Sequence, residues 1–551
     1  MRKSSFLEGA MIATIGIIIC KVIGLIYVIP FYSIIGSQGG ALYGYAYSIY
    51  AIFLSLSSSG IPIAMSKVVS EYNSLEYYNT KEKAYKIGTT IIMALGFFFF
   101  IVLMIFAKPI AHLILGDLEG GNTIEGVTMV IRVVATALLI VPSLSVTKGY
   151  LQGHKFIAPS SISNVIEQLI RVIVIVGGSF MALKVLNLSL ETAVGIAVFG
   201  ATVGAISAYL YLLYKIRKNK EKLKKDEVIT RAEAKITTKD ILKKIVFYAL
   251  PFVIIDLIQS AYSMVDTFTV VSTMANLGFG EIAETTIGVL STWATKLNMI
   301  IISVALGIIV SLIPNIASSF VKQDMQDVSR KINQSLQSLL FVILPMTIGL
   351  SFLAAPTWVI FYGYDEVSIT IFKLFIFQAL TFSFYTILIN IFQTMNNSKI
   401  TLATLAGSFL GKVILNIPMM YFCKRIGIGV YYGPVIATLL TQGIAIIYLI
   451  YKLKSKYNVN YKTTLYNSSK TILCTAIMVV VLMIVNIFIK MDATTRLQAL
   501  FEVAIFSIIG AFVYITVAFK SRLVHDILGD RFLAGIKARL PFINKKHKKV
   551  D

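Results

Sequence analysis

The chain has 551 residues, of which 57% are apolar and only 14% charged, with a mean hydropathy of +0.81. A soluble domain carries about 25% charged residues, so a soluble fold is excluded, as is disorder, which requires low hydrophobicity. On a soluble chain the net charge of +23 would suggest nucleic acid. Here the basic residues gather in loops between apolar runs, so no nucleic-acid partner is expected.

A membrane-spanning helix needs about 20 mostly apolar residues. Taken in chain order, the runs that qualify are 8–34, 41–66, 87–107, 123–147, 158–183, 191–214, 245–272, 285–317, 333–355, 367–395, 401–422, 430–451, 471–489 and 498–519. The expected fold class is therefore an all-α polytopic membrane protein with fourteen transmembrane helices. A transmembrane barrel would show short alternating segments instead. Arg2 and Lys3 precede the first run without a small-residue cleavage site after it, so that run is read as a retained helix.

Charge distribution orients these helices. With the N-terminus in the cytoplasm, 38 Lys and Arg fall in cytoplasmic segments and six in external ones, the bias expected of a bacterial cytoplasmic membrane protein. An even number of spans returns the C-terminus to the cytoplasm. The Lys424-Arg425 pair is the one local exception.

The basic loop 215–244 divides the chain into six helices and eight. Gly60-Ile-Pro-Ile-Ala-Met-Ser66 ends the second helix, and Leu312-Ile-Pro-Asn-Ile-Ala-Ser318 ends the eighth, 252 residues later. Six helices separate the copies, which keeps their orientation and predicts a parallel repeat. The expected organisation is an N-lobe over 1–216, a basic cytoplasmic linker over 217–240 and a C-lobe over 241–455. Two extra helices over 456–520 and an amphipathic, basic cytoplasmic tail over 521–551 follow.

Chemistry is sought among the polar residues inside the spans, because an ionisable group at mid-membrane costs about 2.5–3.5 kcal/mol on insertion scales. Lys21, Arg171, Lys296 and Lys412 are the cations away from span ends. Arg132 and Lys373 lie closer to the ends, where snorkelling accounts for them. Asn164, Glu167, Gln168 and Arg171 repeat at i, i+3, i+4 and i+7, one helical face. Glu167 and Arg171 are also an i,i+4 pair of opposite sign, compatible with an internal salt bridge or with substrate contact. Asp256 and Asp266 are the acidic members of a second stripe and candidates for ion coupling. Such stripes imply a hydrated cavity richer in cations than in carboxylates, which favours an anionic substrate.

Cys20, Cys423 and Cys474 are isolated and the four histidines scattered, so neither a disulfide framework nor a metal site is expected. No HExxH, G-x-S-x-G or Walker A motif is present, and no loop is long enough for a nucleotide domain. The reading is a transporter or flippase rather than an enzyme. It has no cofactor and is driven by membrane potential or a monovalent ion.

Gly36-Ser-Gln-Gly-Gly-Ala-Leu-Tyr-Gly-Tyr-Ala-Tyr47, followed by Ser57-Ser-Ser-Gly-Ile-Pro-Ile-Ala64, resembles the polysaccharide-biosynthesis branch of the MOP exporter superfamily. That branch holds the MurJ-type lipid II flippases and the sporulation proteins related to them. Cys20-Lys-Val-Ile-Gly24 and Ala294-Thr-Lys-Leu297, with Val304-Ala-Leu-Gly307 and Pro314, resemble two MurJ-type motifs. The resemblance implies that Lys21 and Lys296 stand at cavity arginines. Tyr27 stands where other members carry another arginine, and no Asp occurs between 36 and 50 where they have one. It further implies a flippase that carries an undecaprenyl-diphosphate-linked peptidoglycan precursor to the outer leaflet by alternating access of two lobes around a cationic cavity. The extra helices would form a groove for the lipid tail. Membrane lipids, the lipid-linked precursor and the cell-wall synthesis machinery are the expected partners. The rivals are a flippase for another polyprenyl-linked glycan, a cation-coupled drug exporter of the same fold, and a division scaffold without transport.

Overall fold

The computed structural model describes residues 6–58, 60–116, 120–223, 233 and 235–528. Part of the 217–240 linker and most of the 521–551 tail therefore lie outside the described residues; of the tail, the short helix Leu523–Leu528 is described.

Every regular element among the described residues is helical. Among the described residues, twelve helical stretches are long and apolar enough to cross a membrane. The remaining two expected spans, 8–34 and 245–272, coincide with α1 (Phe6–Ile26) running into α2 (Val28–Ser58), and with the 39-residue helix Thr238–Asn276. Fourteen spans are consistent with this set. Several helices outrun the bilayer. Tyr78–Leu115, with 38 residues, is about 57 Å long at 1.5 Å per residue, against a hydrocarbon core of about 30 Å.

By packing, the chain falls into two compact units: residues 1–296 with 412–434, and residues 297–411 with 435–551. The lobes expected from the internal repeat are a division by symmetry; these units are a division by contact.

The first unit contains α1, α2, α3 (Ile61–Ser74), α4 (Tyr78–Leu115), α5 (Ile124–Ala135), α6 (Val141–Gly153), α7 (Ile157–Ile173), α8 (Leu190–Lys218), α9 (Thr238–Asn276) and α10 (Gly280–Gly288). Its core draws Met65, Val68, Tyr72, Ala84, Leu144, Tyr150, Ala205, Leu212 and Ile245 together from α3, α4, α6, α8 and α9. Local sequence accounts for several ends. Thr123 and Ser189 cap α5 and α8 by accepting from backbone N–H groups of their first turns. Thr237 and Asp240 form a capping box at the start of α9.

The expected run 41–66 is interrupted. α2 stops at Ser58, and α3 starts after Gly60, whose φ of 72° is left-handed, with Pro62 in the first turn. A side chain at Gly60 would also stand 2.7 Å from Phe252 Cβ. Upstream, Gly36 at φ 66° kinks α2.

The second unit contains most of α11 (Ala294–Val321), α12 (Met325–Phe352), α13 (Ala354–Tyr362), α14 (Glu366–Phe375), α15 (Phe377–Thr394), the start of α16 (Ser398–Arg425), most of α17 (Tyr432–Tyr457), α18 (Lys462–Phe488), α19 (Arg496–Lys520) and Leu523–Leu528. α18 packs on α12 and α19, and α19 on α13, around Leu353, Met478, Leu482, Phe506 and Tyr514. Polar side chains join α12 to α18. Gln337 Nε2 donates to Thr464 Oγ1 at 2.9 Å, Asn467 Nδ2 donates to Gln337 Oε1 at 3.0 Å, and Thr464 donates to Asn333. Interhelical hydrogen bonds of this kind help hold membrane helices together where lipid weakens the hydrophobic drive. The outer faces of α18 and α19 expose Leu473, Met483, Ile487, Phe501, Ile508 and Phe512.

Candidate functional site

In the first unit, α1 lies along α7. Small residues at Gly16, Cys20 and Gly24 make the close approach possible. A Cβ at Gly16 would stand 3.3 Å from Ser161 Cβ, and one at Gly24 would stand 3.5 Å from Gln168 Nε2. This spacing of four is the small-residue seam used by packed membrane helices. It runs along the polar face of α7 that the sequence periodicity predicts.

On that face Glu167 is held from two sides. Arg171 Nη2 lies 2.5 Å from Glu167 Oε1, and Lys148 Nζ lies 3.0 Å from Glu167 Oε2. Sequence reading places Lys148 in a cytoplasmic loop; the structure places it on α6 facing Glu167. The triad carries one net positive charge. Arg171 Nε is buried without a hydrogen-bond partner, so the guanidinium keeps donor capacity that Glu167 does not use.

Just beyond Arg171 the helix widens into a π-helical turn, Val174–Gly178. A second π turn, Val289–Trp293, immediately precedes Lys296. Single π turns recur at functional positions because they rotate the following residues off the α-helical register. The second turn is pressed against α2 through glycine. A Cβ at Gly40 would lie 2.1 Å from Trp293 Nε1, and one at Gly44 would lie 2.3 Å from Ser291 Oγ. Thr292 Oγ1 donates to the Gly40 carbonyl at 3.0 Å.

Between these elements is a cavity of about 320 Å³. Of the residues expected from sequence, Tyr27, Gln168, Arg171 and Lys296 line it together. Lys296 Nζ sits 5.7 Å from the Tyr27 ring centroid, a cation–π distance. No carboxylate stands within ion-pair distance of Lys296 among the described residues. Tyr43, Tyr47, Ser263, Ser291 and Thr292 complete much of the wall; of these, sequence reading places Ser263 on the polar stripe of Asp256 and Asp266 and does not single out the others. The available signal was the i, i+4, i+7 recurrence of Tyr43, Tyr47 and Tyr50, which reads equally well as an apolar packing face.

The other candidates are placed differently. Glu167 stands behind Arg171 as its ion-pair partner. Asn164 is half-buried one turn before it, and Lys21 is exposed on α1, close enough to Lys296 for like-charge repulsion. Lys412 is fully buried and pairs with Asp266 at 2.8 Å. It also donates to the Pro434 carbonyl at 2.8 Å, while Asn416 Nδ2 donates to Asp266 Oδ1 at 3.0 Å. Asp256 is half-buried on α9, where its backbone carbonyl accepts from Ser55 Oγ at 3.4 Å.

The helical spans and this cation-bearing, tyrosine-walled cavity define a polytopic membrane protein with a cationic cavity. The same architecture occurs in a lipid II flippase MurJ in an inward closed conformation (TM-score 0.62, 17% identity, 94% of this chain and 100% of that one). It also occurs in an inward-facing multidrug transporter of the MATE family of the MOP superfamily (TM-score 0.61, 14% identity, 80% and 98%). At those identities the likeness is one of fold. Sequence goes further. The family model described as polysaccharide biosynthesis protein matches residues 6–320. Lipid II flippase MurJ of Bacillus subtilis is 32% identical over 538 residues, 96% of this chain and 98% of the relative. Stage V sporulation protein B of the same organism is 22% identical over 339 residues, 61% and 63% of the two chains. The chain belongs to the polysaccharide biosynthesis protein family, in its MurJ-type branch.

Proposed function

We propose that the chain is a flippase that moves an undecaprenyl-diphosphate-linked peptidoglycan precursor from the cytoplasmic to the outer leaflet of a bacterial cytoplasmic membrane. The near full-length likeness to a lipid II flippase supports the substrate class. The observation that carries the reading is the convergence of Arg171 and Lys296 on one cavity, with an unspent guanidinium donor on the first. Two cations whose charge no neighbouring carboxylate fully cancels form an electrostatic site for a diphosphate, and Arg suits phosphate geometry. Lys21, exposed near Lys296, meets the diphosphate as it enters, and the bound anion relieves the repulsion between the lysines.

The isoprenoid tail stays in lipid, on the exposed apolar faces of α18 and α19. An inside-negative potential pushes an anion outward, by about 2.3 kcal/mol per charge per 100 mV. With Asp266 already matched by the Lys412 ammonium, membrane potential is the drive we assign. Both termini face the cytoplasm, and the cell-wall synthesis machinery takes up the delivered precursor.

The test is depletion of the protein in cells that lack any other flippase, followed by measurement of outer-leaflet and total precursor. Total precursor should rise while the exposed fraction falls. Lys296→Ala should fail to restore exposure at normal protein levels, and Lys296→Arg should restore it. An unchanged exposed fraction on depletion refutes the peptidoglycan assignment and directs the search to other polyprenyl-linked glycans.

A further inference from the structure

The cavity wall carries two kinds of group: the Arg171 and Lys296 cations, and the rings of Tyr27, Tyr43 and Tyr47 with a set of hydroxyls. The rings form a connected aromatic group. Tyr27 and Phe31 lie 6.1 Å apart, Phe31 and Tyr43 5.1 Å, and Tyr43 and Tyr47 4.5 Å between centroids. Tyr27 and Tyr43 are held almost fully buried, whereas Tyr47, on the same cavity wall, is half-buried.

The hydroxyls are polarised by their own hydrogen bonds. Ser263 Oγ donates to the Ser260 carbonyl at 3.0 Å, Ser291 Oγ to Ile287 at 2.7 Å, and Thr292 Oγ1 to Gly40 at 3.0 Å. A hydroxyl has one proton and two acceptor sites. With a backbone acceptor within reach of each, these oxygens keep lone pairs for a ligand that brings O–H or N–H donors, whereas Arg171 and Lys296 are the lining groups whose charge suits a phosphate.

We propose that this cavity reads the glycosyl diphosphate junction of the lipid-linked substrate: the diphosphate rests between Arg171 and Lys296, and the first sugar stacks its C–H face on Tyr47. On this assignment Tyr47 sets the preference for a glycosylated lipid over the bare polyprenyl diphosphate. The inference rests on the flippase reading above. An aromatic face, electron-rich at its centre, attracts C–H groups and buries apolar ring area at little conformational cost. The volume supports a local reader. At about 320 Å³ it lies at the small end of ligand pockets, which run from about 300 to 1,000 Å³. It holds one sugar with its diphosphate, and the remaining headgroup lies outside it.

The test uses the purified full-length protein and two probes, undecaprenyl diphosphate and undecaprenyl diphosphate carrying one N-acetylhexosamine, with affinities read by titration. The wild type should bind the glycosylated lipid about ten-fold more tightly, the effect of one aromatic stacking contact. Tyr47→Leu should remove that preference, bringing its affinities for the two lipids to within about two-fold of each other. Tyr47→Phe, which keeps the ring, should retain the preference. Equal wild-type affinity for the two probes overturns the inference without use of any variant and leaves the flippase reading standing. A Tyr47→Leu protein that keeps the preference, or loses both lipids equally while its melting temperature is unchanged, also overturns it. If the wild type binds neither lipid, the flippase reading fails with it.

Discussion

Glu167 shows how one side chain can be essential to a site without facing a ligand. It stands between Lys148 and Arg171, and its own side chain is 16% exposed. Glu167→Gln would leave two cations facing one another away from bulk water. Removing one member of a buried pair typically costs about 3–5 kcal/mol, so the variant should melt markedly earlier in detergent. Adding Lys148→Met to that variant should recover part of the loss, because one of the orphaned charges is then gone. A melting point equal to wild type for Glu167→Gln alone would show the bridge to be incidental. The same logic applies to Lys412, fully buried against Asp266. Lys412→Met strands a carboxylate and should destabilise the fold by a similar amount, whereas Lys412→Met with Asp266→Asn should be closer to wild type. At this scale, period and charge in the sequence make the α7 stripe and the Glu167–Arg171 spacing legible. They do not show that Lys148 completes the bridge, because a lysine followed by Gly149 and Tyr150 near the end of an apolar run looks like the start of a loop.

Helices approach closely in this protein where glycine removes the side chain. Gly40 and Gly44 let α2 meet the π turn that carries Ser291, Thr292 and Trp293. Gly40→Ala would place a methyl group inside the van der Waals radius of a fully buried indole. Overpacking costs about 1–3 kcal/mol and here shifts the cavity wall as well. The expected result is lower thermal stability, together with weaker binding of the lipid probes. Across α12 and α18, Asn467→Leu leaves Gln337 Oε1 without its donor and should cost about 0.6–2 kcal/mol, the range of hydrogen bonds between membrane helices. A melting curve in the same detergent decides both. Helix existence was plain in the apolar runs. The breaks at Gly36 and Gly60, and the π turns before Lys296 and after Arg171, were not. A hydropathy window averages over them, and their cause is a close neighbour distant in sequence, such as Phe252 against Gly60.

For the whole molecule, the 38-to-6 distribution of Lys and Arg predicts that both termini are cytoplasmic. A fluorescent protein that matures only in the cytoplasm, fused to either end, should give full signal, and fusions in the loop near Lys184 should give none. The opposite pattern would reverse the proposed direction of transport.

By itself the sequence determined the membrane class, the all-helical fold and the rough extent of most spans, and it placed cations inside the apolar runs. These follow from composition and local period, and the bilayer imposes its length and charge penalties on each segment separately. Only the tertiary structure decided that Tyr27, Gln168, Arg171 and Lys296 share one cavity with Tyr43 and Tyr47, while Lys412 spends its charge on Asp266. A buried cation looks the same in a sequence whether it faces a ligand or a carboxylate. What separates the two is which side chain of another helix stands within about 3 Å of it, and that depends on how helices far apart in the chain are packed.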